Sequence, residues 1–201
     1  MTRSATARLF VAVDPPREVR EHLAGWARAA VRSGTDHATG KAPVRVLDPE
    51  LLHVTLCFLG SRPAGEIELI GSQLGACAGP AGELSLGAPL WLPARRPRAL
   101  AVELHDDRGR LASLQATVAA AVREMGGLEP TGAQGIDTIR RHRRFRPHIT
   151  VARMRDGAAP RERALPPTPS LSFVPSELVL YRSWLSPDGA SYEPLASFTI
   201  G

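Results

Sequence analysis

Two short segments of this chain, Leu52-His53-Val54-Thr55-Leu56 and Pro147-His148-Ile149-Thr150-Val151, read alike and stand 95 residues apart. Each sets a histidine and a threonine two residues apart inside an apolar run. That is the alternation of a half-buried strand, where residues i and i+2 share a face. His53 and Thr55 therefore look one way while Leu52, Val54 and Leu56 look into a core, and His148 and Thr150 repeat the arrangement. A lone His-X-Thr says little, because core histidines satisfied by hydrogen bonds are common. Two copies, one in each half, call for a fold in which two equivalent strands display the same polar pair.

The rest of the pattern supplies the surrounding elements. Leu9, Val11 and Val13 alternate as a strand over 8–13. Asp14 then reads as an N-cap before Pro15 and Pro16, and Val19, Leu23, Trp26, Ala27 and Ala30 line one face of a helix reaching about Arg32. Strands are expected at Val44–Leu47 and Leu51–Leu59, and a second helix follows Pro63 with Ile67, Ile70 and Leu74 inward. Two more strands, Glu83–Leu92 and Ala99–Leu104, precede a third helix over about Asp107–Met125. Its stripe of Leu111, Leu114, Val118, Ala121, Val122 and Met125 is core packing. Another strand follows at His148–Arg153, and the prolines at 160, 166, 167 and 169 forbid a long helix after it. The chain closes with a hairpin, Glu177–Trp184 and Tyr192–Ile200, around Ser186-Pro187-Asp188-Gly189. Helices and strands interleave, but the hairpins and short loops argue for an α+β protein with mainly antiparallel sheets.

Composition narrows the partners. At 43% hydrophobic residues over 201 positions, with no Gly-X-Y or heptad period, the chain is no disordered, collagenous or coiled-coil protein. Its most apolar run, Leu51–Leu59, is far short of the roughly 20 residues of a membrane helix, so a membrane partner is not expected. The apolar stretch Leu9–Val13 is too short for a signal peptide, and Cys57 and Cys77 read as free thiols; the expectation is a cytoplasmic monomer. A net charge of +5 favours an anionic partner. Arginine supplies 24 of the 25 basic residues, and its planar fork suits phosphate better than lysine does.

The two motifs and their surroundings resemble the 2H phosphoesterases, in particular the RNA 2′,3′-cyclic phosphodiesterase (2′-5′ RNA ligase) family. The resemblance runs from Arg8-Leu9-Phe10-Val11-Ala12-Val13 through the first motif to Phe58-Leu59-Gly60, then Pro97-Arg98-Ala99-Leu100. It is sharpest at Phe145-Arg146-Pro147-His148-Ile149-Thr150-Val151-Ala152-Arg153 and ends at Leu180-Tyr181-Arg182-Ser183. It implies one bilobal domain over 1–201: two pseudo-symmetric lobes of mainly antiparallel sheet, helices outside, and an active groove between them holding both motifs. The chain departs from the family at Val46, where a tryptophan is frequent, and at Cys57, where a basic residue is frequent.

The chemistry that follows is the opening of a five-membered cyclic phosphate at an RNA or nucleotide end. A base must take a proton from water and an acid must protonate the departing ribose oxygen, and two imidazoles can do both. His53 and His148 are the expected catalytic pair, Thr55 and Thr150 the donors to the non-bridging oxygens, and Arg153 a stabiliser of developing charge. Arg146 and Arg153 bracket His148 and should keep it neutral as the base, whereas Glu50 near His53 should favour its protonation as the acid. Phe145 is expected to stack a terminal base, with core packing as its other reading. The run Arg140–Arg146 is either a solvated loop or a track for an RNA backbone. No cofactor and no metal are expected, since no third ligand accompanies the histidines. The competing class is a non-catalytic RNA-end or nucleotide binding module using the same groove.

Overall fold

The computed structural model describes residues 5–32, 43–125, 145–155, 158–160, 164–186 and 189–200. The basic run over 140–144 lies outside them, as do His37 and His142.

Among the described residues, nine strands form a single antiparallel sheet. β1 (Thr6–Val13) leads into helix α1 (Arg17–Arg32), which is followed by the short β2 (Val44–Val46) and β3 (Val54–Pro63). Helix α2 (Ile67–Cys77) connects to β4 (Leu84–Leu92) and β5 (Ala99–His105), and α3 (Arg110–Glu124) precedes β6 (His148–Met154). β7 (Ser172–Phe173) and the hairpin of β8 (Glu177–Ser186) and β9 (Gly189–Thr199) complete the chain. The strand order is β7-β4-β5-β6-β3-β1-β8-β9, with β2 on β6.

The expected α+β fold of two antiparallel lobes is what the chain forms, with one refinement. The lobes are not separate sheets. One half, β7-β4-β5-β6, meets the other, β3-β1-β8-β9, where Val54 of β3 pairs with Ile149 of β6. Helix α3 lies against β3, while α1 lies against β2 and β6, so each of these helices covers a strand beyond the one it follows.

Strand alternation sorts the side chains. Leu9, Val11 and Val13 of β1, Leu100, Val102 and Leu104 of β5 and Leu178 and Leu180 of β8 belong to the core cluster beneath the helices. Leu23 of α1, Ile70 and Leu74 of α2 and Leu111 and Val118 of α3 reach the same core. Each fully buried leucine or valine there contributes about 1.5–3 kcal/mol. The opposite face of the same strands is covered as well, with Phe10, Ala12, Ala101 and Val179 buried there.

Three sequence expectations are refined. Pro49–Leu51 forms a 3-10 turn, so β3 begins only at Val54. Asp14 does not cap α1, which starts at Arg17; its Oδ2 accepts the Tyr181 hydroxyl at 2.6 Å. The two-residue β7 has no counterpart in the sequence pattern, because so short an edge strand carries no period.

Candidate active site

The pairing of Val54 with Ile149 decides where the histidines go. These are the middle residues of the two motifs and both are fully buried. Continuing their antiparallel register by one residue each way sets His53 opposite Thr150 and His148 opposite Thr55, all on the face away from Val54 and Ile149. The two histidines are then diagonal neighbours, a relation that spans roughly 7–8 Å between strands.

The same irregularity follows each threonine. On β3, Thr55 pairs with Ala12 and Cys57 with Val11, so Leu56 is extra. On β6, Thr150 pairs with Ala101 and Ala152 with Leu100, so Val151 is extra. A bulge of this kind re-aims everything beyond it. Leu56 and Cys57 are buried in succession, as are Val151 and Ala152. Phe58 and Arg153, at equivalent positions, thereby come round to the histidine face. Strict alternation would have turned Arg153 away from His148; in the fold its charge acts on His53. The bulge also turns Cys57 inward: the thiol faces the core, where burial pushes its pKa up to about 11. Ala12 and Ala101, two small residues, lie opposite the two threonines.

Both imidazoles are anchored alike. His53 Nδ1 lies 2.9 Å from the Leu51 carbonyl and His148 Nδ1 2.8 Å from the Arg146 carbonyl. A carbonyl only accepts, so Nδ1 carries the hydrogen in each ring and Nε2 is the nitrogen left for chemistry.

Their surroundings differ. His53 lies among rings from three other strands: Phe10 of β1 at 4.9 Å between centroids, Tyr192 of β9 edge-on at 5.2 Å and Tyr181 of β8 at 6.1 Å. This burial lowers the His53 pKa to about 4; the Leu51 carbonyl opposes the shift, and the charges of Arg153 and His148 add to it. The charge reading of the sequence is overturned here. Glu50 is engaged by Arg20 at 3.2 Å, and Arg153 bears on His53. Arg146, expected to press on His148, is paired with Glu103 at 2.9 Å.

His53, His148, Thr55, Thr150 and Arg153 are thus brought together. Phe145 is half-buried and packs against the core, as its packing reading has it. What the sequence reading missed is the aromatic wall of Phe10, Tyr181 and Tyr192, and an acidic residue beside each histidine. Glu103 pairs in register with His148, and one step beyond Val13 and Val54 the register of β1 places Asp14 opposite His53. A signal was present: Ala12-Val13-Asp14 and Ala101-Val102-Glu103 are a second internal echo. Among the described residues no three His, Cys, Asp or Glu side chains converge as a metal site.

No family model matches the chain. An RNA 2′,3′-cyclic phosphodiesterase of Thermus thermophilus is 33% identical over 196 residues, covering 96% of this chain and 90% of the relative. The chain belongs to the RNA 2′,3′-cyclic phosphodiesterase family of 2H phosphoesterases. The Escherichia coli enzyme of that name is 27% identical, with 98% of each chain covered. Among solved structures, a Thermus thermophilus protein matches with a TM-score of 0.74 at 31% identity, over 96% of this chain and 97% of its own. E. coli LigT complexed with 3′-AMP matches with a TM-score of 0.74 at 25% identity, over 98% and 99%. The chain is therefore a phosphodiesterase, and the reading as a non-catalytic binding module gives way. No helix among the described residues is long and apolar enough to cross a membrane.

Proposed function

We propose that this enzyme hydrolyses the 2′,3′-cyclic phosphate of an RNA or nucleotide end to a 2′-phosphate without a metal ion, using His53 and His148 as its acid-base pair. Water attacks phosphorus, the bond from phosphorus to O3′ breaks, one imidazole takes the water proton and the other gives a proton to O3′. Thr55 and Thr150 donate to the non-bridging oxygens, and Arg153 balances the charge that builds on them. The observation that carries this reading is the matched anchoring of the two rings. With both Nδ1 hydrogens held by carbonyls, each ring keeps Nε2 for chemistry, the two motifs lie on neighbouring strands, and the charge of Arg153 reaches His53. Because each half of the chain supplies one motif, we read residues 1–201 as one bilobal unit.

For the roles, His148 as base and His53 as acid is one assignment. The phosphate's own negative charge, seated beside His53, would raise that ring and let it enter the reaction protonated. The exchanged assignment is favoured by the burial of His53, which leaves it neutral at pH 7 in the free enzyme, the state a base needs. The pH profiles of the two histidine variants separate the assignments. The acid is the residue whose loss removes the limb on the alkaline side.

The deciding experiment is turnover of a 2′,3′-cyclic mononucleotide in EDTA, with the product read by phosphorus NMR. A 2′-phosphate formed at an undiminished rate is the expected result. Loss of turnover in EDTA, or a 3′-phosphate as product, overturns the mechanism.

A further inference from the structure

Glu103 belongs to no motif, yet it lies on β5 directly opposite His148. Its carboxylate accepts a hydrogen bond from the Arg146 guanidinium at 2.9 Å. Arg146 in turn supplies the carbonyl that holds His148 Nδ1 at 2.8 Å. The next residue is tied to the same strand, since the Leu104 amide donates to the Pro147 carbonyl at 2.9 Å. The two residues before His148 are therefore fastened to β5 twice, once by backbone and once by the Glu103 side chain.

The other half repeats the device with different parts. Asp14, at the position equivalent to Glu103, feels the charge of Arg20. Arg20 reaches on to Glu50 at 3.2 Å, and Glu50 precedes Leu51, whose carbonyl holds His53. In each half an arginine–glutamate ion pair fastens the segment that carries the anchoring carbonyl to a neighbouring element, Glu50 to Arg20 of α1 and Arg146 to Glu103 of β5. An ion pair on the anchoring segment of each half, built from different residues, points to that segment's position as part of the site's construction.

We propose that Glu103 is a positioning residue for His148, acting through Arg146 to fix the carbonyl that orients the imidazole and to balance the arginine's charge beside it. The proposal deepens the reading of His148 as one of the reacting pair and rests on it. The Arg146 side chain is 69% exposed and that of Glu103 33%, so the pair adds little to folding stability. Its effect falls on geometry and charge. The charged and titratable groups around His148 are Glu103 from β5, Arg146 and Arg153 from its own segment and strand, His53 from the segment before β3, and Arg45 of β2, which pairs with Arg153.

The test compares Glu103→Gln, Glu103→Asp and the charge exchange Glu103→Arg with Arg146→Glu. Two readouts are taken: kcat on a cyclic mononucleotide, and NMR titration of His148 without substrate. Glu103→Gln should lower kcat about 10-fold with KM nearly unchanged. It should also move the His148 titration to lower pH, because Arg146 is left without its counter-charge. Glu103→Asp should keep the titration in place, and the exchange should restore most of kcat. A Glu103→Gln enzyme with unchanged kcat and an unmoved His148 titration overturns the proposal. Because the titration is read without turnover, its outcome is independent of whether His148→Ala abolishes catalysis, the result on which the function itself depends.

Discussion

Val54 and Ile149 face each other across β3 and β6, and each stands between the histidine and the threonine of its own motif. This contact joins the two half-sheets and at the same time sets the separation of the imidazoles. Core packing and the placement of the two histidines share one pair of buried side chains, so a change meant for one reaches the other.

Shortening that contact tests the relation. Ile149 is fully buried, and Ile149→Ala should cost about 2–5 kcal/mol in a urea unfolding curve. It should also lower kcat beyond any change in KM, because the β6 motif loses the packing that holds it against β3. Ile149→Val should cost only about 1 kcal/mol and leave kcat near normal.

The acid-base pair makes a kinetic prediction. His53→Ala and His148→Ala should each lose at least about 100-fold in kcat, the usual lower range for general acid-base catalysis. Thr55→Ala and Thr150→Ala each remove one hydrogen bond to a charged group, about 1.5–3 kcal/mol, and should lose roughly 10- to 100-fold. Circular dichroism should show all four folded. Near-normal turnover in either histidine variant would defeat the two-histidine mechanism.

The burial of His53 has a thermodynamic signature. Its pKa falls from 6.5 to about 4 on folding, so between those values the unfolded chain binds more protons than the folded one. His53 therefore contributes full stability above about pH 6.5, and stability is lost as the pH drops towards 4. His53→Gln should flatten that acid slope in denaturation curves measured from pH 7 to pH 4. An anion bound beside the ring raises its pKa, so binding of inorganic phosphate near pH 5.5 should be accompanied by proton uptake. Calorimetry in buffers of different ionisation enthalpy measures this, and a buffer-independent heat would contradict it.

The two thiols should differ in reactivity. Cys57 is buried with its pKa pushed up to about 11. Cys77, at the end of α2, is less buried, and burial raises its pKa as well. Only a thiolate attacks a disulfide reagent, so one thiol, Cys77, should titrate slowly in the native enzyme, with Cys57 appearing on unfolding. Rapid reaction of Cys57 in the native state would place it in the cleft.

Much of this protein could be read from its residues in order. The period-2 runs announced eight of the nine described strands within a few positions, the stripe of Leu111, Leu114 and Val118 announced α3, and the doubled His-X-Thr announced the two segments that the fold sets side by side. These signals are local, since alternation and helical spacing act between residues a few positions apart. Tertiary structure decided whatever depended on neighbours distant in sequence. The single pair Val54–Ile149 merged the expected lobes into one sheet. Two bulges, visible only in pairing register, brought Arg153 and Phe58 onto the histidine face and sent Cys57 into the core. The lowered pKa of His53 arises from rings at positions 10, 181 and 192, which come together only when β1, β8 and β9 pair. Glu50 and Arg146, three and two residues before the histidines, are engaged by Arg20 and Glu103 instead. Sequence determined which groups the chain could present, because strand periodicity is written locally. Electrostatics and orientation were settled by the fold, because burial and charge act through space.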